Sequence, residues 1–202
     1  MDKYIAIVGT NSDQSTNRKL LYFIKDYFKN EADIEIIEIK EFPMFNKPDD
    51  GNLPSIVKEV AQKIEEADGV IISTPEYNHA VPAALMNALN WLSYNIYPFV
   101  DKPVMITGAS YGTLGSSRAQ SHLKQMLDSP ELKARTMPSS EFLLSHSLQA
   151  FDESGKLVDE DQIQKLHSLF LDFKHFVYMT NQLMSAHKQN KKEAENFSWE
   201  NI

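Results

Sequence analysis

The sequence predicts an α/β fold: a doubly wound, five-stranded parallel sheet with helices on both faces. Two observations carry this. Short apolar runs alternate with helical segments five times along the 202 residues, the pattern of successive strand–helix–strand units. Most of those runs are nearly continuous, as strands covered on both faces require. Tyr4–Val8 is the first, closed by the turn and capping residues of Gly9–Thr16. From Asn17 the spacing of Leu20, Leu21, Ile24, Tyr27 and Phe28 gives one apolar helical face. Ile34, Ile36, Ile37 and Ile39 mark a second strand, more alternating and nearer an edge. Glu41–Pro54 holds three prolines and the pair Asp49-Asp50, and reads as a loop. Ile56, Val57, Val60 and Ile64 restore a helical period over Ser55–Ala67, and Gly69–Ser73 is the third strand. A helix over Pro82–Tyr94 follows, with Pro82 at the first position, where a missing N–H costs nothing. Lys102–Thr107 is the fourth strand, Ser117–Leu127 a helix, Glu141–Leu144 the fifth strand and Asp152–Lys156 a turn. The last helix starts near Glu160 and runs for over twenty residues.

Composition narrows the function. A net charge of −8 without a basic stripe argues against a nucleic-acid partner. The absence of cysteine excludes disulfides, thiolate metal sites and cysteine nucleophiles. The apolar run near the N-terminus is too short for a signal-peptide core, and no stretch approaches a membrane span. The expectation is a soluble, cytoplasmic protein with no membrane or metal partner. Residues 1–186 would form one domain, and residues 187–202 a mobile polar tail in which Phe197 and Trp199 carry no assigned function.

In a doubly wound sheet, ligands bind beyond the carboxyl ends of the strands where strand order reverses. The loops after strands one, three and four are therefore the informative ones. The first, GTNSDQSTN, sets the hydroxyls of Thr10, Ser12, Ser15 and Thr16 and the amides of Asn11 and Asn17 ahead of a helix start. Free N–H groups and the helix dipole suit such an end to an anion, although an ordinary capped helix would also use Ser15 or Thr16. Neither the GxxxxGK[ST] nor the GxGxxG motif is present.

The second loop, PEYNHAVP, is stiffened by Pro75 and Pro82. A fixed backbone can aim peptide groups at a planar heterocycle, with Tyr77 as an aromatic wall. Surface packing by Tyr77 and a solvated Glu76 is the plainer alternative, and His79 is given no catalytic role. The third loop, GASYGTLGSSRAQ, has three glycines in eight residues, which permit close backbone approach to a ligand. Arg118 sits near the start of the next helix, the unfavourable end for a cation, so a carboxylate or phosphate partner is expected.

Together, GTNSDQSTNRKL at Gly9–Leu20, PEYNH at Pro75–His79 with the following NALNWLS, and SYGTLGSSRAQ at Ser110–Gln120 resemble the NAD(P)H-dependent FMN reductase family. Its members are azo-, quinone- and chromate-reducing flavoproteins of flavodoxin-like fold. The resemblance runs from about Tyr4 to Leu144, and PEYN is its most specific part. It implies FMN at the carboxyl edge of the sheet, with Thr10, Ser12, Ser15 and Asn17 around the phosphate. Pro75, Glu76, Tyr77 and Asn78 would line the isoalloxazine, and Ser110, Tyr111 and Gly112 would close its other side. There are departures. Ser12 stands where the family often has Arg, Ala83–Asn87 replaces Gly-x-Leu-Lys-Asn, Asn90 replaces Asp, and Gly115-Ser116 replaces a glycine pair.

The resemblance implies an oxidoreductase that passes electrons from NADPH or NADH through FMN to a flavin, quinone, azo compound or metal ion. Turnover would be ping-pong, with no catalytic side chain, because the cofactor does the bond chemistry. A backbone N–H of the PEYN corner would tune it. An electron-carrying flavodoxin and a non-redox nucleotide-binding member are the alternatives; the alternating Thr/Gly phosphate loop of the carrier is absent. A homodimer, or a tetramer, is expected. Leu89, Trp91, Leu92, Tyr94, Ile96, Tyr97, Pro98 and Phe99 form an apolar surplus that suggests the interface.

Overall fold

The strand order is β2-β1-β3-β4-β5, with every strand pair parallel. Here β1 is Asp2–Val8, β2 Ala32–Glu38, β3 Gly69–Ser73, β4 Pro103–Ala109 and β5 Arg135–Thr136. A sixth strand, β6 (Phe142–Leu144), pairs with the far end of β4. The helices are α1 (Thr16–Tyr27), α2 (Ser55–Glu66), α3 (Ala83–Trp91), α4 (Ser117–Leu127), α5 (Glu160–Ala186) and α6 (Gln189–Glu195). This computed structural model describes residues 1–138, 141–186 and 189–196.

The strand side chains divide between two cores with a period of two. Tyr4, Ala6, Val8, Ile71 and Met105 face α1 and α5, where Phe28 stacks on Phe170 with centroids 3.7 Å apart. Ile5, Ile7, Val70, Ile72, Val104 and Ile106 face α2, α3 and α4. Both sheet faces are thus dry, which is why these strands read as unbroken apolar runs. The strand order reverses between β1 and β3, so the loops after β1, β3 and β4 open on one edge.

Two expectations about strand and helix bounds need correction. The fifth strand position is split: β5 lies beside the start of β4 and β6 beside its end. Two residues are too few to leave a periodic signal. Helix α3 stops at Trp91 rather than Tyr94, and the chain turns through Asn95 at φ +56°.

The apolar surplus after α3 is largely covered by the chain itself. Leu89, Trp91, Leu92, Pro98 and Phe99 are buried, and Tyr94, Ile96 and Tyr97 half-buried. The cover is the 41–54 loop. Trp91 Nε1 donates to the Pro43 carbonyl at 2.7 Å, Tyr94 Oη donates to Pro48 at 2.7 Å, and Phe45 packs edge-on against both rings.

Residues 189–195 are helical rather than part of a mobile tail; Phe197 and Trp199 lie outside the described residues. Ala194 is buried, and salt bridges Lys191–Glu65 (2.9 Å) and Lys133–Glu193 (2.8 Å) hold α6. Asp101, 5% exposed, accepts from both Arg135 Nε and Asn190 Nδ2 at 2.9 Å. A polar composition hid this helix because its attachment is by ion pairs rather than an apolar stripe. Asp101→Ala is expected to cost about 2 kcal/mol, as a lost charge-assisted acceptor does. An unchanged urea midpoint would show that the anchor contributes nothing.

Candidate functional site

A cavity of about 510 Å³ opens at the switch point, a size typical of small-molecule sites. It is lined by residues 14–17 after β1, by Pro75, Glu76, Tyr77 and His79 after β3, and by residues 109–114 and Arg118 after β4.

At the first wall, Ser15 is the N-cap of α1 in extended conformation, and its Oγ accepts from Arg18 N at 3.2 Å. The first-turn N–H groups of Thr16 and Asn17 have no acceptor within the helix. They form the anion-receptive end. The Asn17 side chain is buried and committed elsewhere. Its Nδ2 donates to the Ala109 carbonyl at 2.8 Å, and its Oδ1 accepts from Ala109 N and Ser73 Oγ, both at 2.9 Å. The amide expected to reach a phosphate thus pins α1 to β3 and β4, leaving the backbone of Asn17 to face the cavity.

Thr10 and Ser12 do not line the cavity. Thr10 Oγ1 accepts from Ser12 N at 3.2 Å and lies 3.4 Å from Tyr77 Oη. The Ser12 carbonyl accepts from Arg18 Nη1 at 2.6 Å. Arg18 also donates through Nη1 to the Asp13 carbonyl and pairs with both oxygens of Glu38. The hydrogen bond to Glu38 pushes the guanidinium pKa above its ordinary value. Arg18 is therefore the strap of this loop, a role sequence reasoning missed because its partners are a distant strand end and backbone carbonyls.

The second wall is a tight hairpin. Tyr77 and Ala80 exchange N–H···O bonds of 3.0 Å, and Asn78 and His79 between them have φ +50° and +64°. Two consecutive left-handed residues are the pattern of a type I′ turn. Asn tolerates this region; His does so at a cost in strain. The rigidity expected from Pro75 and Pro82 is present, but this hydrogen-bonded turn supplies it as well. Asn78 sits at the tip, off the cavity lining, while Tyr77 and His79 line it. The N–H groups of Asn78 and His79 make no hydrogen bond among the described residues.

Glu76 resolves the position of Arg118. Its carboxylate accepts from Arg118 N (3.0 Å), Ala119 N (3.4 Å) and Arg118 Nη1 (3.0 Å). Ser116, at φ +67°, offers α4 no side-chain cap, and a carboxylate from another loop takes its place at the positive end of the helix dipole. Glu76 is thus fixed to α4, with its backbone beside the cavity.

Across the cavity, Ser110 N donates to the Leu144 carbonyl at 3.0 Å, Ser147 N to the Ser110 carbonyl at 3.0 Å, and His146 N to the Gly112 carbonyl at 3.1 Å. Gly115 has φ +55°, and a Cβ there would lie 2.6 Å from the Leu143 carbonyl carbon. Gly112 lines the cavity and is exposed, and a Cβ there would meet nothing within 4 Å. Tyr111 Oη reaches the Gln14 carbonyl at 3.4 Å, closing the ring of loops.

A parallel doubly wound sheet with an anion-receptive helix start, a rigid peptide corner and an open glycine-bearing wall defines a flavodoxin-like mononucleotide-binding protein. Comparison with known proteins gives the family. Residues 3–149 match the family model of NADPH-dependent FMN reductases, and the chain belongs to that family. It is 51% identical over 197 residues to the NADH:(hydroxy)cinnamate reductase subunit CrdA of Vibrio ruber, covering 98% of this chain and 97% of the relative. It is 41% identical over 185 residues to the NADH-dependent flavin reductase subunit 2 of Lactobacillus johnsonii, covering 89% and 98%. The NAD(P)H:(acceptor) oxidoreductase FerB of Paracoccus denitrificans has the same fold, with a TM-score of 0.77 at 24% identity over 90% of this chain and 98% of that one.

The chain is an oxidoreductase of the FMN reductase type, using FMN with a nicotinamide donor. The cavity fits that group: Thr16 and Asn17, whose first-turn N–H groups make no hydrogen bond among the described residues, line it together with His79 of the turn and Gly112. Among the residues converging here, Gln14, His79, Thr113, Leu114 and Arg118 were not site candidates on sequence. All five lie within the three loops read above: Gln14 in GTNSDQSTN, His79 in PEYNH, and Thr113, Leu114 and Arg118 in the third loop.

Asn17→Ala is expected to cost about 3 kcal/mol, since Ser73 Oγ and both backbone groups of Ala109 lose buried partners. Denaturant unfolding checks this, and a cost below 1 kcal/mol would remove the pinning role.

Proposed function

We propose that the chain oxidises a nicotinamide nucleotide and hands the electrons to a small planar acceptor at the cavity mouth. The observation that carries this is that the anion-receptive start of α1 and the rigid Tyr77–Ala80 turn both line one cavity. The N–H groups of Thr16 and Asn17, with Ser15, seat the phosphate of FMN. Pro75, Glu76 and Tyr77 border its ring, Asn78 acts from the turn tip through its N–H group, and Ser110, Tyr111 and Gly112 cover the opposite side. Thr10 and Ser12 shape the phosphate loop through their mutual hydrogen bond. When bound, FMN supplies the redox chemistry, taking two electrons from the nicotinamide and returning them to the acceptor. The protein binds and orients it, and the free N–H groups of Asn78 and His79 stabilise negative charge on its nearby edge.

NADH is the favoured donor, in line with the names of the two relatives above. Both are named as subunits, and here Tyr77, Tyr111, Leu114 and Leu148 are exposed around or near the mouth. This apolar rim supports coverage by a second chain, either a copy in a homodimer or a partner that receives the electrons. We read residues 1–186 as one FMN-binding domain to which α6 is appended. We place the protein in the cytoplasm; among the described residues no helix is long and apolar enough to cross a membrane.

The purified protein titrated with FMN should show a bound flavin band near ~450 nm that bleaches under nitrogen with NADH. A bound flavin that neither nicotinamide bleaches would sink the reductase reading. Asn78→Pro, which cannot adopt the native φ of +50°, is expected to lower the bleaching rate at least about tenfold through a barrier rise of about 1.4 kcal/mol. Unchanged bleaching would exclude the turn from the site.

A further inference from the structure

A second groove of about 460 Å³ shares Gln14 and Ser15 with the flavin cavity and runs outward along α1 to the Ser154–Lys156 turn. Its chemistry differs from that of an ordinary surface cleft. Tyr22 presents a 54% exposed ring beside the nearly buried Phe23. The carboxylates on this groove are paired, Asp13 with Lys40 at 2.8 Å and Asp26 with Lys29 at 3.1 Å. Arg18 is held by Glu38. Lys19 and Lys156 line the groove and make no salt bridge among the described residues.

Lys156 also stands on a fixed support. Asp152 Oδ1 accepts from Ser154 N and Oγ at 2.8 Å and from Lys156 N at 2.9 Å, while Asp152 N donates to the Lys156 carbonyl at 2.9 Å. Gly155 at φ +83° allows the tight turn. Asp152 attracts Lys156 electrostatically, but its own oxygen is engaged by the turn.

We propose that this groove takes the adenylate half of FAD, so that the site binds the dinucleotide flavin as well as FMN. The inference rests on seating the flavin phosphate at Ser15–Asn17 in the reading above. A phosphate there lies at the residues the two cavities share, so a second phosphate joined to it continues past Gln14 into the groove. Lys19 and Lys156 meet its charge, and the exposed face of Tyr22 offers a stacking surface for the adenine. A groove that begins at the phosphate end, rather than at the Tyr77–Ala80 corner where the nicotinamide must approach, favours the flavin's own adenylate over that of the donor.

The test is a set of flavin titrations followed by fluorescence, on the full chain and on Tyr22→Ala and Lys19→Ala/Lys156→Ala. All three positions lie outside the FMN-seating residues. FAD is expected to bind at least as tightly as FMN, and each variant to weaken FAD about tenfold, as loss of one base–aromatic stack does, with FMN changed less than about twofold. FAD binding more than about tenfold weaker than FMN, or variants that shift both flavins equally, would overturn the groove's role. Variants that raise the KM for NADH and leave FAD untouched would assign the groove to the donor's adenylate and overturn the proposal as stated. Failure of FMN itself to bind would instead remove the reading on which it rests.

Discussion

The buried amide of Asn17 holds the site together. It links the first turn of α1 to the ends of β3 and β4, segments 56 and 92 residues away in sequence. Those are the strand ends from which the other two walls depart, so the cavity's geometry is referred to one side chain. A buried amide that satisfies two backbone groups and a hydroxyl is strongly position-specific, because each partner left unpaired would carry its own desolvation cost. With the side chain so engaged, the helix start presents only backbone N–H groups and hydroxyls to a ligand. That suits an anion which must be held without a fixed cation.

A second coupling runs through Glu76. By capping α4 with a carboxylate from the β3–α3 loop, the chain joins two walls electrostatically. The corner therefore cannot shift without exposing the α4 start, and the strained residues at Asn78 and His79 are held by the pair of bonds between Tyr77 and Ala80. Strain of this kind persists only where the surroundings over-determine it. Arg18 does similar work for the β1–α1 loop, tying the Ser12 and Asp13 carbonyls to the end of β2.

Much of this was legible beforehand, and the reasons are local. Continuous apolar runs marked β1, β3 and β4, because covering both faces leaves no polar period. Pro82 and Ser15 marked helix starts, and the corner was readable from Pro75 through His79. The two-residue β5 and the ion-paired α6 were not legible, since neither relies on an apolar pattern. The surplus from Leu89 to Phe99 was legible as apolar, but how much of it the chain itself covers was not. Nothing in the spacing indicates that the 41–54 loop folds back to receive Trp91 and Tyr94 at its carbonyls.

By itself the sequence determined the α/β class, the parallel sheet, the edge at which the cavity opens and the three loops that line it. Those follow from periodicity and from the fixed handedness of strand–helix–strand connections, which act over a few tens of residues. Tertiary structure decided which polar side chains are committed to bonds within the fold and which are left at the cavity. The side chains of Asn17 and Glu76 are as polar as any in these loops, yet their bonds go to Ser73 and Ala109 and to the start of α4. Partner choice among polar groups depends on distances between segments far apart in the chain, and no local pattern encodes those distances.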